Sequence, residues 1–228
     1  NNSSSNLLRD YIIGNNNGLQ YDENNVARSN NYNHRANLKL EFKLDSAKSI
    51  TIQPKFSLQM NDGINNLYGE NRRSVAISSI ENSYKSKLRA YSVSLPLSYR
   101  ISFPKKGRTF SIDLNPSYNH SDGNSNMQTF NKFYIDTIFS ADSLDQRSFL
   151  NKWGLNSTSN VTYTEPLSKT SFLSLSYIFT FNYSLSKKNT FNKDWLNYDY
   201  SLQDTSLSNV FNNTYLSHAA GLTYRYQW

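Results

Sequence analysis

The chain of 228 residues has no cysteine, 8 glycines and 5 prolines. Without cysteine there is no disulfide framework and no thiolate metal site, and the redox compartment is left open. No stretch approaches 18 consecutive apolar residues, which excludes a transmembrane helix. The opening Asn1-Asn2-Ser3-Ser4-Ser5-Asn6 lacks the basic and then apolar regions of a signal peptide, so an exported protein of this sequence is read as a mature chain or a part of one. Histidines are scarce: His34, His120 and His218. There is no His-Glu-x-x-His, no Gly-x-Ser-x-Gly and no phosphate-cradling glycine loop.

What is abundant points elsewhere. Aromatics make up 14% of the chain, with 17 Tyr and 13 Phe, and roughly three residues in ten are Asn or Ser. That aromatic content argues against disorder. A mean hydropathy of -0.69 suits an ordinary soluble domain. It does not exclude a membrane barrel, whose strands alternate lipid-facing apolar with lumen-facing polar residues and average near neutral. The net charge of +7 comes from 24 basic and 17 acidic residues spread along the chain. Scattered basic residues mixed with acids do not make a nucleic-acid surface, and no nucleic-acid partner is expected.

Period two is the dominant pattern. Between residues 32 and 45, Tyr32, His34, Ala36, Leu38, Leu40, Phe42 and Leu44 alternate with Asn33, Arg35, Asn37, Lys39, Glu41, Lys43 and Asp45. Such alternation argues a strand with one dry and one wet face. A second run sets Ile50, Ile52, Pro54, Phe56, Leu58 and Met60 against polar neighbours. A third carries Tyr91, Val93, Leu95, Leu97, Tyr99, Ile101 and Phe103, and a fourth Phe110, Ile112, Leu114, Pro116 and Tyr118. Placing Lys105 and Lys106 at a hairpin tip pairs Ile101 with Phe110 and Tyr99 with Ile112, keeping one face apolar. The fifth run is weaker: Trp153, Leu155, Val161 and Tyr163 are interrupted by Ser157 and Ser159. The sixth is the clearest, from Leu173 through Leu175, Tyr177, Phe179, Phe181 and Tyr183 to Leu185, with Ile178 on the wrong side. The last has Leu216, Ala220, Leu222, Tyr224, Tyr226 and Trp228.

Short turns near residues 46–48, 104–107 and 165–169 alternate with long polar segments near 61–85, 121–150 and 186–213, and another at 1–31. This is the layout of an all-β, antiparallel up-and-down transmembrane β-barrel. Its strands are expected near 32–45, 50–60, 88–103, 109–119, 152–164, 171–185 and 214–228, within a single barrel segment over 1–228. Runs this long reach the 9–11 or so residues a tilted strand needs to cross a bilayer. Seven strands is an odd number, whereas closed single-chain bacterial barrels use an even one. Either a strand is hidden in 1–31, with Leu7-Leu8 and Tyr11-Ile12-Ile13 the only candidates, or the chain is part of a larger barrel. The expectation is a partial barrel.

Several segments carry a family resemblance. Asn33-His34-Arg35-Ala36-Asn37-Leu38-Lys39-Leu40-Glu41-Phe42-Lys43-Leu44-Asp45-Ser46, with Ser49-Ile50-Thr51-Ile52-Gln53-Pro54, resembles the barrel of Bacteroidetes TonB-dependent-receptor-like outer-membrane proteins. Phe103-Pro104-Lys105-Lys106-Gly107-Arg108-Thr109-Phe110-Ser111 is similar to a "KGRT" hairpin of that family, and Tyr163-Thr164-Glu165-Pro166-Leu167 to its "YTEPL" turn. Each is a strand-turn signature with no chemistry in it. The resemblance implies a bacterial outer-membrane location, uptake of a nutrient or chelate, and a plug domain and TonB energy-coupling system as partners, none of which this sequence displays. It also implies a chain continuing beyond Trp228.

Candidate site residues follow from the two faces. The wet parity collects Arg35, Lys39, Glu41, Lys43, Lys55, Arg89, Arg100, Asp113 and Arg225, a wall suited to a water-filled lumen or a polar plug. The dry parity presents Tyr91, Tyr99, Phe103, Tyr177, Phe179, Phe181 and Tyr183 to outer-membrane lipid. The Asn-rich, Tyr-bearing loops suit an extracellular ligand whose identity no cluster selects. His120-Ser121-Asp122 is the sole grouping with catalytic residue types. Neighbours in a strand point different ways and form no triad. No enzyme activity, cofactor or metal is expected. Two other readings stay open: a small non-transporting or surface-anchoring outer-membrane barrel, and a soluble secreted β-sandwich adhesin or lectin.

Overall fold

The alternating sequence folds into a single antiparallel sheet. The computed structural model describes residues 1–12, 18–135 and 138–227. Its strands are β1 (Asn2–Tyr11), β2 (Leu19–Asn37), β3 (Leu40–Lys43), β4 (Lys48–Ile52), β5 (Lys55–Arg73) and β6 (Val75–Ser94). They continue with β7 (Leu97–Ser102), β8 (Thr109–Ile135), β9 (Ile138–Pro166), β10 (Ser171–Asp194), β11 (Asp199–Gln203) and β12 (Asn209–Tyr226). Ile13 and Trp228 lie outside the described residues.

Twelve strands replace the expected seven. One addition is β1, which pairs with β2 from Asn2↔Arg28 to Tyr11↔Leu19 and contains Leu7 and Leu8. The rest are divisions of single chain passes: β2 from β3, β4 from β5, β6 from β7, and β11 from β12. The chain therefore crosses the sheet in eight passes. Proline explains three of the divisions. Pro54, Pro96 and Pro116 sit beside one another on adjacent passes, and proline has no N–H for the ladder. The carbonyls of these prolines accept from the backbone N–H of Leu38 (3.0 Å), Gln53 (2.8 Å) and Leu95 (3.0 Å), so the passes stay joined. The fourth division is a turn at 204–208, where the Asp204 carboxylate accepts from the N–H of Ser206 and Leu207.

The short turns fall where expected. Ile101 pairs with Phe110 and Tyr99 with Ile112. The tip, however, is a turn closed by Arg108 N–H on Lys105 C=O at 3.0 Å, with Lys106 and Gly107 at its centre. Gly107 has φ +88°, the left-handed conformation this turn type demands.

The long polar segments depart from expectation. Residues 61–85 are the far halves of β5 and β6, which meet at Ser74; 121–150 and 186–213 likewise extend β8, β9 and β10. Their ladders run unbroken far past the apolar runs, as in Met127↔Gln146 and Thr190↔Ser148. Backbone hydrogen bonds need no apolar face. Period-two apolarity fades once neither face is dry, and the strand persists without it.

Along the long passes the order is β1-β2-β5-β6-β8-β9-β10-β12, with β3, β4 and β7 continuing β2, β5 and β6 beyond the prolines. The sheet is open and not closed into a barrel: β1 is bonded only to β2, and β12 only to β10. Among the described residues no apolar side chain other than that of Pro166 is buried, and no second sheet covers the first. This arrangement lacks the core that a soluble sandwich requires.

Candidate functional site: two faces of one sheet

Register decides which side chains share a face. Across the passes the pairs run Phe42↔Ile50, Ile50↔Tyr99, Tyr99↔Ile112, Ile112↔Val161, Val161↔Tyr177 and Tyr177↔Ala220. Every apolar run of the sequence therefore falls on one face, in one band. Tyr91, Tyr99, Tyr177, Phe179, Phe181 and Tyr183 all belong to it, and Phe103 carries the parity of Tyr99 just past the end of β7.

One margin of the band is an aromatic row. Tyr91 stacks at 5.1 Å on His120 and at 6.0 Å on Tyr118, Tyr118 meets Trp153 at 6.5 Å, and Trp153 meets Tyr183 at 5.0 Å. These rings come from four successive passes. The other margin carries Phe110, Tyr163 and Tyr224, and the two tyrosine hydroxyls reach out of the band: Tyr163 donates to Glu165 (2.6 Å) and Tyr224 to Ser171 (3.2 Å). Residues 110–120 span about 33 Å of strand, or about 25 Å of height at a barrel tilt of about 40°. With seven passes about 4.8 Å apart, the band covers on the order of 1,000 Å². Monomeric soluble proteins rarely expose more than a few hundred Å² of contiguous apolar surface. The band has its own polar interruptions, Ser157, Ser159 and His218, near the β12 edge. There the Tyr177 hydroxyl and His218 Nδ1 lie 2.7 Å apart.

The opposite face collects the polar residues. Arg35 pairs with Ser57, Lys55 with Ser94, Lys43 with Ser49, Arg100 with Ser49 and Ser111, and Asp113 with Ser98 and Asn160. Lys39, Glu41, Arg100 and Asp113 line one hollow of about 380 Å³, with an ion pair between Lys39 and Glu41. Ser98 Oγ, on the same lining, is buried without a hydrogen-bond partner. Arg225 shares this face, opposite to Tyr224, but lies away from the hollow: its guanidinium sits 4.9 Å over the Phe172 ring, next to the β12 edge. Asparagines continue the wall, Asn182 donating to Asn156 between neighbouring passes.

Arg89 corrects the sequence reading. It pairs with Met60 and Asp122, so it shares the face of Tyr91 and not the wet wall. Its parity is that of its own run, and beyond the aromatic row the apolar face turns polar. His120 and Asp122 also lie on this face, with Nε2 and the carboxylate 3.5 Å apart, while Ser121 points to the other. Among the described residues no group of His, Asp and Glu is placed to hold a metal ion.

Two polar clusters escaped the sequence analysis. On the short-turn side, Glu165 accepts from Arg108, Lys105 and Tyr163. Hydrogen bonds from Arg108, then Lys105 and Tyr163, hold its carboxyl well below the usual range. The signal was there: opposite charges in two consecutive short turns on the same side of the sheet. On the far side, nearly buried Asp145 accepts from Tyr200 (2.7 Å) and Gln128 (3.2 Å), with Lys193 at 3.4 Å. Burial, followed by the Asp145 carboxylate, pushes the Tyr200 hydroxyl above its ordinary value. Arg147 covers the Tyr200 ring at 4.2 Å, completing a clasp of the β10–β11 hairpin onto β9. Apart from Asp145 and Arg147, both on β9, its members lie on separate strands and have no spacing to read.

No protein-family model, curated protein or solved structure matches this chain.

Proposed function

We propose that this chain is a stretch of an outer-membrane β-barrel, part of a TonB-dependent-type receptor that takes up a nutrient or chelate. One observation carries the membrane part: register gathers every apolar run onto one face, bounded by an aromatic row, with no apolar side chain but that of Pro166 buried among the described residues. A surface of that size and ordering needs an apolar solvent, and the wet face opposite suits a lumen or a polar plug. The two one-sided edges, β1 and β12, favour a barrel completed by further strands, since unpaired backbone groups facing lipid cost several kcal/mol each. The transport part rests on the resemblance of the 33–54, 103–111 and 163–167 segments.

The experiment is extraction. The chain is expected to enter solution only with detergent or lipid and to aggregate without them. A monodisperse species in plain buffer would falsify the membrane reading. Transport is tested on the intact gene, whose deletion should abolish growth on one nutrient among a panel. The absence of a plug and TonB-box-like segment in the intact protein would remove the transport part alone, leaving a non-transporting barrel. Eight passes would suit such a barrel, but β1 and β12 do not pair.

A further inference from the structure

Immediately beyond the aromatic row, on the same face, lies a hollow of about 720 Å³. Three cations line it: Lys87, Arg89 and Lys187. Register places them directly above the rings. Arg89 and Lys187 are each two residues from Tyr91 and Leu185, and Lys87 is two further along from Arg89. None of the three side chains has a hydrogen-bonding or ion-pair partner among the described residues. The apolar part of its floor is Met60 and Phe149, which share the face of Arg89. Two carboxylates share the lining, Asp62 across from Lys87 and Asp122 across from Arg89, which leaves the hollow one positive charge in excess and Lys187 facing Asn151.

This layering is specific. Below the rings the face is apolar; at the rings it is amphipathic; above them it carries a net positive charge whose basic side chains form no close ion pair. A lipid has the same order, from acyl chain through glycerol or sugar to phosphate. Long basic side chains rooted at such a margin lay their stems on apolar surface and place their charge among headgroups. Arginine and lysine supply the charge-assisted hydrogen bonds that a phosphate oxygen accepts. We infer that the Lys87–Arg89–Lys187 hollow binds the phosphate of an anionic membrane lipid, its acyl chains lying along the Tyr91–Trp153 side of the band. The inference rests on the membrane reading above and adds a ligand to the outer surface of the sheet.

The test uses the full chain in zwitterionic detergent, titrated with phosphatidylglycerol, phosphatidylcholine or inorganic phosphate, and read by native mass spectrometry and melting temperature. Phosphatidylglycerol should remain bound and raise the melting temperature, whereas phosphatidylcholine and inorganic phosphate should do neither. Combining Arg89→Ser with Lys187→Ser should weaken retention about tenfold or more. Lys188→Ser is the control: it removes the same charge one residue away, on the opposite face, and should leave binding intact. If the double variant loses its strand circular dichroism, Lys87→Ser replaces it, again with weaker retention expected. Equal binding of both lipids, an effect reproduced by inorganic phosphate, or a loss for Lys188→Ser equal to that of the double variant would each overturn the site. Those results in a detergent-dependent protein leave the membrane reading standing; a detergent-free soluble chain removes both.

Discussion

Arg108 donates two hydrogen bonds to Glu165, from Nε at 2.7 Å and from Nη2 at 2.9 Å, and so joins two consecutive short turns of the sheet. Lys105 adds a third bond at 2.6 Å from the tip of the first turn. The clamp has a pH signature. Glu165 has a folded-state pKa below its ordinary value of 4.5, so its contribution is fully present above that value and is lost as pH falls towards the folded pKa. Melting temperature measured across pH is expected to stay flat on this account from neutrality to about pH 5 and to fall below it. Glu165→Gln should flatten that acid limb. An acid limb unchanged by the substitution would show that other carboxylates dominate.

Gly107 is expected to resist any side chain. Its φ of +88° is costly for an L residue, and a Cβ there would stand 2.8 Å from the Phe172 ring. Gly107→Ala should destabilise the sheet by about 1–3 kcal/mol, read as a lower melting temperature in detergent. A neutral result would mean that the turn reorganises.

Asp145 is expected to hold the β10–β11 hairpin down. Asp145→Ala removes the acceptor of Tyr200 and Gln128 and the counter-charge of Lys193. Groups left partly buried without partners cost about 1–3 kcal/mol. Limited proteolysis should then cut faster around residues 194–199, while cleavage elsewhere is unchanged. Uniformly faster cutting would point to global loosening.

The absence of native cysteine makes the two faces directly testable. Asp113→Cys and Leu114→Cys are adjacent on β8 and belong to opposite faces. In proteoliposomes a water-soluble maleimide should label the first at least tenfold faster than the second. A lipid-borne quencher should affect a fluorophore at 114 only. Equal labelling would contradict the assignment of the band to lipid.

Much of this fold is legible in the residues. Alternation in the 32–60, 91–118 and 173–185 runs is enough to place strands, because side chains of a strand point alternately to two faces. The turn at 104–107 fixes the pairing of Ile101 with Phe110, since one residue of slip would exchange the faces. Four of the wet-face charges, Lys39, Glu41, Arg100 and Asp113, were named from parity alone and meet in one hollow. Arg89 is the exception, grouped with the wet wall by its charge, whereas its parity, two residues from Tyr91, already puts it on the other face.

The sequence by itself determined the seven passes that carry apolar runs, the sign of each face along those runs and the short turns, all of which are properties of neighbouring residues. Tertiary structure decided the rest. It drew β1 from a segment with little apolar signal, because a polar strand needs only a partner ladder. It extended β8 and β9 far beyond their apolar runs for the same reason, and it aligned Pro54, Pro96 and Pro116 into one interruption across three passes. It also brought Arg108 to Glu165, Tyr200 to Asp145, and Lys87 and Arg89 towards Lys187. Those meetings depend on the registers between strands that are distant in sequence, and register is a property of the sheet.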